Sequence, residues 1–371
     1  MKVALVHDYL TQYGGAERVL EKLIEVYPDA EIFTTVYNEN TINQIKGINR
    51  KKLHHTFIHR LPQSKKNYQK YFFLFPFAIE SMDMSKFDIV ISISSAWVKG
   101  VVTLPKTMHV SYILNPMRFA WNEYFFSLKN LEKKWVKWMV LGILNWVRLW
   151  DSISIARVDE IITISNTIKR RVLKYYKRNS TVIYPPVNLS FFDINPHLKV
   201  QDFFLCVSRL KYYKRIEIAV EAFNRLGLPL LIIGKGEAEG FLKRIARPNI
   251  QFLGFLSNEE LRSYYQRAQA LIVPQEEDFG LAPIEALACG TPVIGFKGGG
   301  VEEVVRDGET GLMFSPQKVE PLVEMVRKFD RGKFDSKKLR KSVVKFGEDQ
   351  FKQQFSSFIQ TKFHEWQSQQ V

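Results

Sequence analysis

At 371 residues, 46% hydrophobic and 25% charged, the chain is too long for one ordinary domain and has the composition of a folded globular protein, not a disordered or fibrous one. Two cysteines, Cys206 and Cys289, exclude a disulfide framework by count; each lies in an apolar run and reads as a buried, reduced thiol, which fits a reducing compartment. Lys and Arg number 53 against 38 Asp and Glu, and the net charge of +15 predicts attraction to something anionic: a nucleotide, a nucleic acid or an acidic membrane face.

In chain order, "MKVALVHDYL" has a short apolar core broken by His7 and Asp8, so it reads as a first strand and not as a signal peptide. Further strand-like runs follow at 31–37, 88–94, 109–114, 160–165 and 181–184. A second series occupies 203–208, 229–234, 249–254, 270–274, 292–296 and 311–314. Helix-length segments separate most of them. Such alternation predicts parallel sheets covered on both faces, and two series predict two doubly wound α/β domains. The boundary is expected at "YPPVNLSFFDINPHL", where Pro185, Pro186 and Pro196 resist regular structure. The polar closing segment, 346–371, places Phe351, Phe355, Phe358, Ile359 and Phe363 at roughly helical spacing. The expected division is 1–184, joined by that closing helix, and 185–345.

The segment 131–150, "LEKKWVKWMVLGILNWVRLW", breaks the pattern. Trp135, Trp138, Trp146 and Trp150 mix with Lys133, Lys134, Lys137 and Arg148. Trp beside Lys and Arg suits an anionic membrane interface. A helix packed on its own domain would show the same apolar periodicity, so both readings stand. With no run of 18 or more apolar residues, no spanning helix is expected. The expected location is the cytoplasm, with a peripheral position on the inner membrane face as the option that 131–150 opens.

The motifs are individually weak and converge on strand ends. Gly14-Gly15 lie between the first strand and a helix, where an open α/β sheet holds ligands and a helix N-terminus offers N–H groups. Arg209 and Lys214 follow the strand at 203–208 and suit a diphosphate, one as a fork and one as a point charge. Gly234-Lys235-Gly236 add backbone room and a third cation after the next strand, without the three-glycine dinucleotide pattern. In "VPQEEDFGLAPIEALACGTPVIGF" the acids Glu276, Glu277 and Asp278 close a strand, and Gly280 or Leu281 opens a helix carrying Glu285 about one turn in. Glu277 and Glu285 can then address two parts of one elongated ligand, while Glu276 and Asp278 read as a solvated loop edge. Gly298–Gly300 precede a further helix. Four strand ends of one domain thus carry glycines, cations or acids.

These motifs together resemble the retaining glycosyltransferases of family 4. The spacing of Glu277 and Glu285 in "EEDFGLAPIEALACGTPVI" is similar to the family signature, and "SRLKYYKRIEIAVEAF" to its Arg…Lys phosphate motif. "VHDYL…GGAERVL" resembles its N-terminal glycine loop, and "RVDEIITISNTIKRRV" with "VIYPPVN" the end of its first domain and linker. "SYILNPMRFAW" is similar to mannosyltransferases of bacterial O-antigen and exopolysaccharide assembly. The resemblance implies the GT-B fold, two Rossmann-like domains facing a central cleft. It implies a nucleotide-sugar donor, GDP-mannose favoured, and a lipid-linked or oligosaccharide acceptor in cell-surface polysaccharide synthesis. Carried over, Arg209 and Lys214 would neutralise the donor diphosphate, Glu285 would hold ribose hydroxyls and Glu277 hydroxyls of the moving sugar. Phe279, Gly280 and Leu281 would present backbone N–H groups, Gly234 and Lys235 would complete the donor edge, and Gly15 would face the diphosphate from the first domain.

At one position the chain departs from the family: relatives usually carry a His where this sequence has Leu114. His109 lies five residues earlier, an odd spacing that puts it on the opposite strand face. Asn115 and Arg118 are assigned to substrate binding. The resemblance implies retention by front-face attack, with phosphate taking the acceptor proton. No Asp-x-Asp and no His/Cys cluster with ligand spacing is present, so neither a metal nor another cofactor is expected. Rival readings are a catalytically impaired nucleotide-sugar-binding protein and a GT-B epimerase. Nucleic-acid binding rests on charge alone and is not expected.

Overall fold

The apolar runs become strands buried on both faces, as parallel sheets under helices require. A computed structural model describes residues 1–129 and 133–369, in two units: Met1–Pro186 with Phe351 onward, and Val187–Gln350. The first holds seven strands: β1 Val3–His7, β2 Glu31–Thr34, β3 Leu53–His55, β4 Ile89–Ser94, β5 Met108–Ile113, β6 Glu160–Thr163 and β7 Thr181–Val182. Their spatial order is β3-β2-β1-β4-β5-β6-β7, every pair parallel, with Val3 opposite Ile89 and His7 opposite Ile93. The second holds β8 Phe204–Val207, β9 Leu230–Ile233, β10 Ile250–Gly254, β11 Leu271–Val273, β12 Val293–Phe296 and β13 Gly311–Phe314. Its order is β10-β9-β8-β11-β12-β13, again all parallel. Chain order reverses between β1 and β4 and between β8 and β11. These are the switch points, where the carboxyl ends of the strands open a crevice for ligands.

Strand β3 was not anticipated: "LHH" has no apolar run, and all three residues are half-buried at the sheet edge. The run at 31–37 stops at Thr34, because Thr35 to Asn38 turn to bond the loop after β1, through Thr35 N to Asp8 O at 3.3 Å and Asn38 N to Leu10 O at 2.8 Å. His109 is a core residue of β5. Its ring lies 2.9 Å from Ser92 Oγ and 3.3 Å from the Arg157 carbonyl, and burial pushes its pKa down to about 4. The closing helix, Glu348–Gln369, buries Phe351, Phe355 and Ile359; both phenyl rings meet Tyr112 of β5 at 6.1 Å.

Leu131 and Glu132 of the Trp-rich segment lie outside the described residues; the rest is a helix, Lys134–Ser154. The helix has one packed face and one exposed face. Ile143, Trp146, Val147 and Trp150 pack into the core of the first unit, and buried Asp151 pairs with Lys99 and accepts from Trp121 Nε1 at 2.7 Å and Tyr176 OH at 2.8 Å. Trp135 (66% exposed), Trp138 (74% exposed), Met139, Leu149 and Ile153 point to solvent, as do Lys133, Lys134 and Lys137. Arg148 is instead held over the Tyr124 ring at 4.8 Å and donates to the Ala120 carbonyl. The expectation that no segment reaches membrane-spanning length needs correction. Lys134–Arg157 is long and apolar enough by length and composition, because Lys137, Asn145 and Arg148 interrupt the apolar run without ending the helix.

Candidate functional site

The strands β8 and β11 are neighbours at the switch point of the second unit, and the chain leaves them into residues 208–214 and 274–280. A tight 3₁₀ turn, Tyr212–Lys214, brings Lys214 back over the sheet edge, where Nζ lies 2.7 Å from Glu277 Oε2. Gln275 Nε2 donates to Glu277 Oε1 at 2.6 Å. Both oxygens of Glu277 are therefore engaged and its orientation is fixed. The loop is pinned from the far side by Gly300, whose N–H donates to the Glu277 carbonyl at 2.6 Å. Gln275 is only 2% exposed, and its Oε1 is buried without a hydrogen-bond partner. Burial, helped by the Glu277 charge, pushes the Cys206 thiol up to about 12, so it is no nucleophile.

Gly280 opens the helix Leu281–Ala288 with φ +103, a backbone region that favours glycine, and it offers no side chain to cap the first turn. That end of the helix keeps its positive dipole unopposed by a cap. One turn in, Glu285 is 4% exposed, and its Oε2 accepts from the Tyr265 hydroxyl at 3.1 Å. The Tyr265 ring is itself wholly buried, on the helix Asn258–Arg267. Phe279 turns its ring inward, edge-on to Phe346 at 5.4 Å, so only its backbone can meet a ligand.

Arg209 is exposed, and its guanidinium makes no hydrogen bond or ion pair among the described residues; Lys235 is exposed as well. The neighbouring glycines do not make room for a ligand, as their sequence suggests. At Gly234, φ is +136 and a Cβ would drive into the Ser208 carbonyl; at Gly236 it would strike that of Leu210. Their room is taken by the backbone that carries Arg209. Sequence reasoning passed over Gln275 and Tyr265, although a buried-strand exit reading Pro-Gln-Glu-Glu was a usable signal for the first. Among the described residues, no group of three or more His, Cys, Asp or Glu side chains is placed to hold a metal ion.

At the switch point of the first unit, the anion place is already filled. The backbone N–H groups of Ser95, Ala96, Trp97 and Val98 donate to the Asp8 carboxylate at 2.6, 2.8, 2.7 and 3.0 Å, and Ser95 Oγ adds a fifth bond at 2.9 Å. Gly15 begins the helix Gly15–Val26, whose first turn carries its own carboxylate: Glu17 Oε2 accepts from Gly14 N–H at 2.8 Å. His7, beside it, is buried with both ring nitrogens unbonded and Nε2 3.8 Å from Glu17. Asn115 is buried and accepts from Arg171 at 3.5 Å, while Arg118 lies 3.8 Å from Glu123. Leu114, just past β5, offers only an apolar side chain.

Topology therefore gathers Arg209, Lys214, Gly234, Lys235, Glu277, Phe279, Gly280, Leu281 and Glu285 on one edge of the second sheet, and Gly15, Asn115 and Arg118 on the corresponding edge of the first. Comparison with known proteins gives a consistent picture. The family model described as Glycosyltransferase Family 4 matches residues 13–191, and that described as Glycosyl transferases group 1 matches 190–350. An uncharacterised glycosyltransferase of Methanocaldococcus jannaschii is 24% identical over 361 residues, 96% of this chain and 94% of that protein. O-antigen chain mannosyltransferase C of Escherichia coli is 28% identical over 46% of this chain and 50% of its own. Among solved structures, HepE of Anabaena in complex with UDP-glucose superposes with a TM-score of 0.70 at 15% identity, over 97% of this chain and all of that one.

Proposed function

We propose that this chain, which belongs to the family 4 glycosyltransferases of the GT-B fold, moves a hexose with retention from a nucleoside-diphosphate sugar to a lipid-linked or saccharide acceptor in cell-surface polysaccharide synthesis. The observation that carries this reading is the clamp Lys214–Glu277–Gln275 beside the uncapped N-terminus of Leu281–Ala288. A fixed acid there can grip sugar hydroxyls, while a cation and a helix dipole wait for the leaving diphosphate. Charge grows on that diphosphate as the glycosidic bond breaks, so Lys214, Arg209 and the N–H groups of Gly280 and Leu281 stabilise the transition state more than the ground state. Glu285 holds the ribose, with Tyr265 fixing its carboxylate. The acceptor oxygen attacks on the side the phosphate leaves, and a phosphate oxygen takes its proton. No metal takes part.

Mannose from GDP-mannose is the favoured donor, supported by the E. coli mannosyltransferase; the UDP-glucose bound to HepE makes UDP-glucose the comparison to run. The protein acts at the cytoplasmic face of a membrane, held by Trp135, Trp138 and Met139 in the interface and by Lys133, Lys134 and Lys137 on anionic headgroups. A screen of GDP, GDP-mannose, UDP and UDP-glucose by thermal unfolding tests the donor. A ligand at a hundredfold excess over its Kd stabilises by about 2.7 kcal/mol. GDP-mannose should give the largest shift, and no shift with any of the four would contradict a nucleotide-sugar site.

A further inference from the structure

Three aromatic residues of the first unit have no part in the donor chemistry. His55 ends β3, His59 lies in the turn Phe57–Arg60 that follows, and Tyr37 lies three residues beyond β2. All are half-buried at the carboxyl edge of the first sheet, the edge where such a sheet takes ligands. Their rings pack in a row: Tyr37 stacks on His59 at 4.2 Å and 24°, and His59 lies tilted against His55 at 4.3 Å and 31°. His54 alternates to the other face and pairs with Glu31 at 2.7 Å, so it stands outside the stack.

The hydrogen bonds set the tautomers. The Tyr37 backbone N–H donates to His59 Nδ1 at 3.4 Å. That nitrogen must keep its lone pair, so the His59 proton sits on Nε2. His55 Nδ1 lies 3.1 Å from the Thr56 carbonyl, which can only accept, so the neutral ring has its proton on Nδ1 and its lone pair on Nε2. Burial, then the neighbouring His55, Lys65 and Arg60, hold the His59 pKa down to about 4, which keeps it neutral in ordinary buffers. Neither Nε2 is buried, and neither has a hydrogen-bond partner among the described residues. Two rings with centroids 4.3 Å apart thus present one donor and one acceptor.

This pair selects a ligand class. A carboxylate only accepts and would meet the His55 lone pair. A metal ion chelated by both rings would need two lone pairs and would meet the His59 proton. A hydroxyl both donates and accepts, and neighbouring hydroxyls on a sugar ring can do one at each nitrogen. We propose that Tyr37, His55 and His59 form a hydroxyl-reading subsite for a pyranose with a vicinal diol, one hydroxyl donating to His55 Nε2 and the next accepting from His59 Nε2–H. The role of this subsite in holding the acceptor rests on the glycosyltransferase reading above; the chemistry of the pair does not.

The test is long-range proton–nitrogen NMR of the histidine rings in the full chain, with methyl α-D-mannopyranoside, methyl α-D-glucopyranoside and acetate as probes. The free protein should show His59 protonated on Nε2 and His55 on Nδ1. One or both glycosides should move both Nε2 resonances, and acetate neither. His55→Phe and His59→Phe keep a stack and lose the polar edge. Each should weaken glycoside binding roughly fivefold and leave the GDP-induced shift in unfolding temperature unchanged. Silent Nε2 resonances with both glycosides, the opposite tautomers, or wild-type affinity in both variants would overturn the subsite. If neither GDP nor UDP stabilises the protein, the transferase reading falls instead, and movement at His55 and His59 would still uphold the subsite.

Discussion

On the proposed function Lys214 has two roles, one in the folded free protein and one in nucleotide binding, and replacing it separates them. In the free protein it neutralises Glu277 across 2.7 Å, with side-chain exposures of 9% and 18%. At that distance and an effective dielectric of about 20, the gross Coulomb attraction is about 6 kcal/mol. Desolvation of both groups offsets much of it. Removing one partner of a buried pair costs about 3–5 kcal/mol. The residual exposure of Glu277 puts Lys214→Met at the low end, about 3 kcal/mol. Glu277→Gln keeps the geometry and should cost about 1–2 kcal/mol. With the carboxylate already neutral, losing the lysine matters less, so the double variant should fall short of the sum by about 1–2 kcal/mol. Urea unfolding of the four proteins gives this coupling. GDP titration measures the role in binding, where Lys214→Met should lose roughly 30-fold or more in affinity, and Glu277→Gln only a few-fold. A coupling near zero, or full GDP affinity in Lys214→Met, would refute the clamp.

Other expectations follow from single residues. The His109 pKa falls from an ordinary 6.5 to about 4 on folding, so its contribution is complete above pH 6.5 and is lost as pH falls through 4. Between pH 7 and 4.5 the wild type should lose about 2–3 kcal/mol that His109→Gln does not, and parallel pH profiles would contradict this. Gly234→Ala should displace the backbone carrying Arg209 and weaken GDP binding at least roughly tenfold; an unperturbed affinity would show that the close approach is not needed. Trp135→Ser with Trp138→Ser should cut binding to vesicles containing phosphatidylglycerol, and Lys133, Lys134 and Lys137 changed to Gln should cut it further at low salt than at high salt. Arg148→Gln should leave vesicle binding unchanged, because that side chain is tied to Ala120 and Tyr124. Equal binding by all of these variants would leave the helix as a packing element only.

The sheets were legible because parallel strands buried on both faces are continuous apolar runs, and the glycines and acids that punctuate them fall at strand ends. β3 was not legible: an edge strand covered on one side carries no apolar run, and "LHH" owes its place to pairing with β2. The Glu277/Glu285 spacing placed both acids after β11, at the carboxyl edge of the second sheet, where the structure has them. Their partners were hidden, because Gln275 and Tyr265 reach their glutamates through tertiary packing and not through spacing. Gly234 and Gly236 were visible as glycines, and sequence could not tell room for a ligand from room for the chain itself. His7 and Asp8 looked like interruptions of a strand; Asp8 in fact satisfies the N–H groups that follow β4. The Trp-rich helix gave an undecided pattern because one face packs into the core and the other leaves Trp135 and Trp138 exposed.

The most direct test of the central claim is turnover. GDP-mannose and UDP-glucose, in parallel, would be incubated with the protein and a lipid-linked saccharide, with free nucleotide measured and the new linkage assigned by NMR. The account predicts acceptor-dependent release of nucleotide from one donor, GDP-mannose first, without added metal, and a product with the anomeric configuration of the donor. Inversion would overturn the retaining mechanism. Tight nucleotide-sugar binding with no transfer to any acceptor would mark a binding protein with Leu114 in place of a working group. Free nucleotide with an epimerised sugar in the absence of acceptor would mark an epimerase.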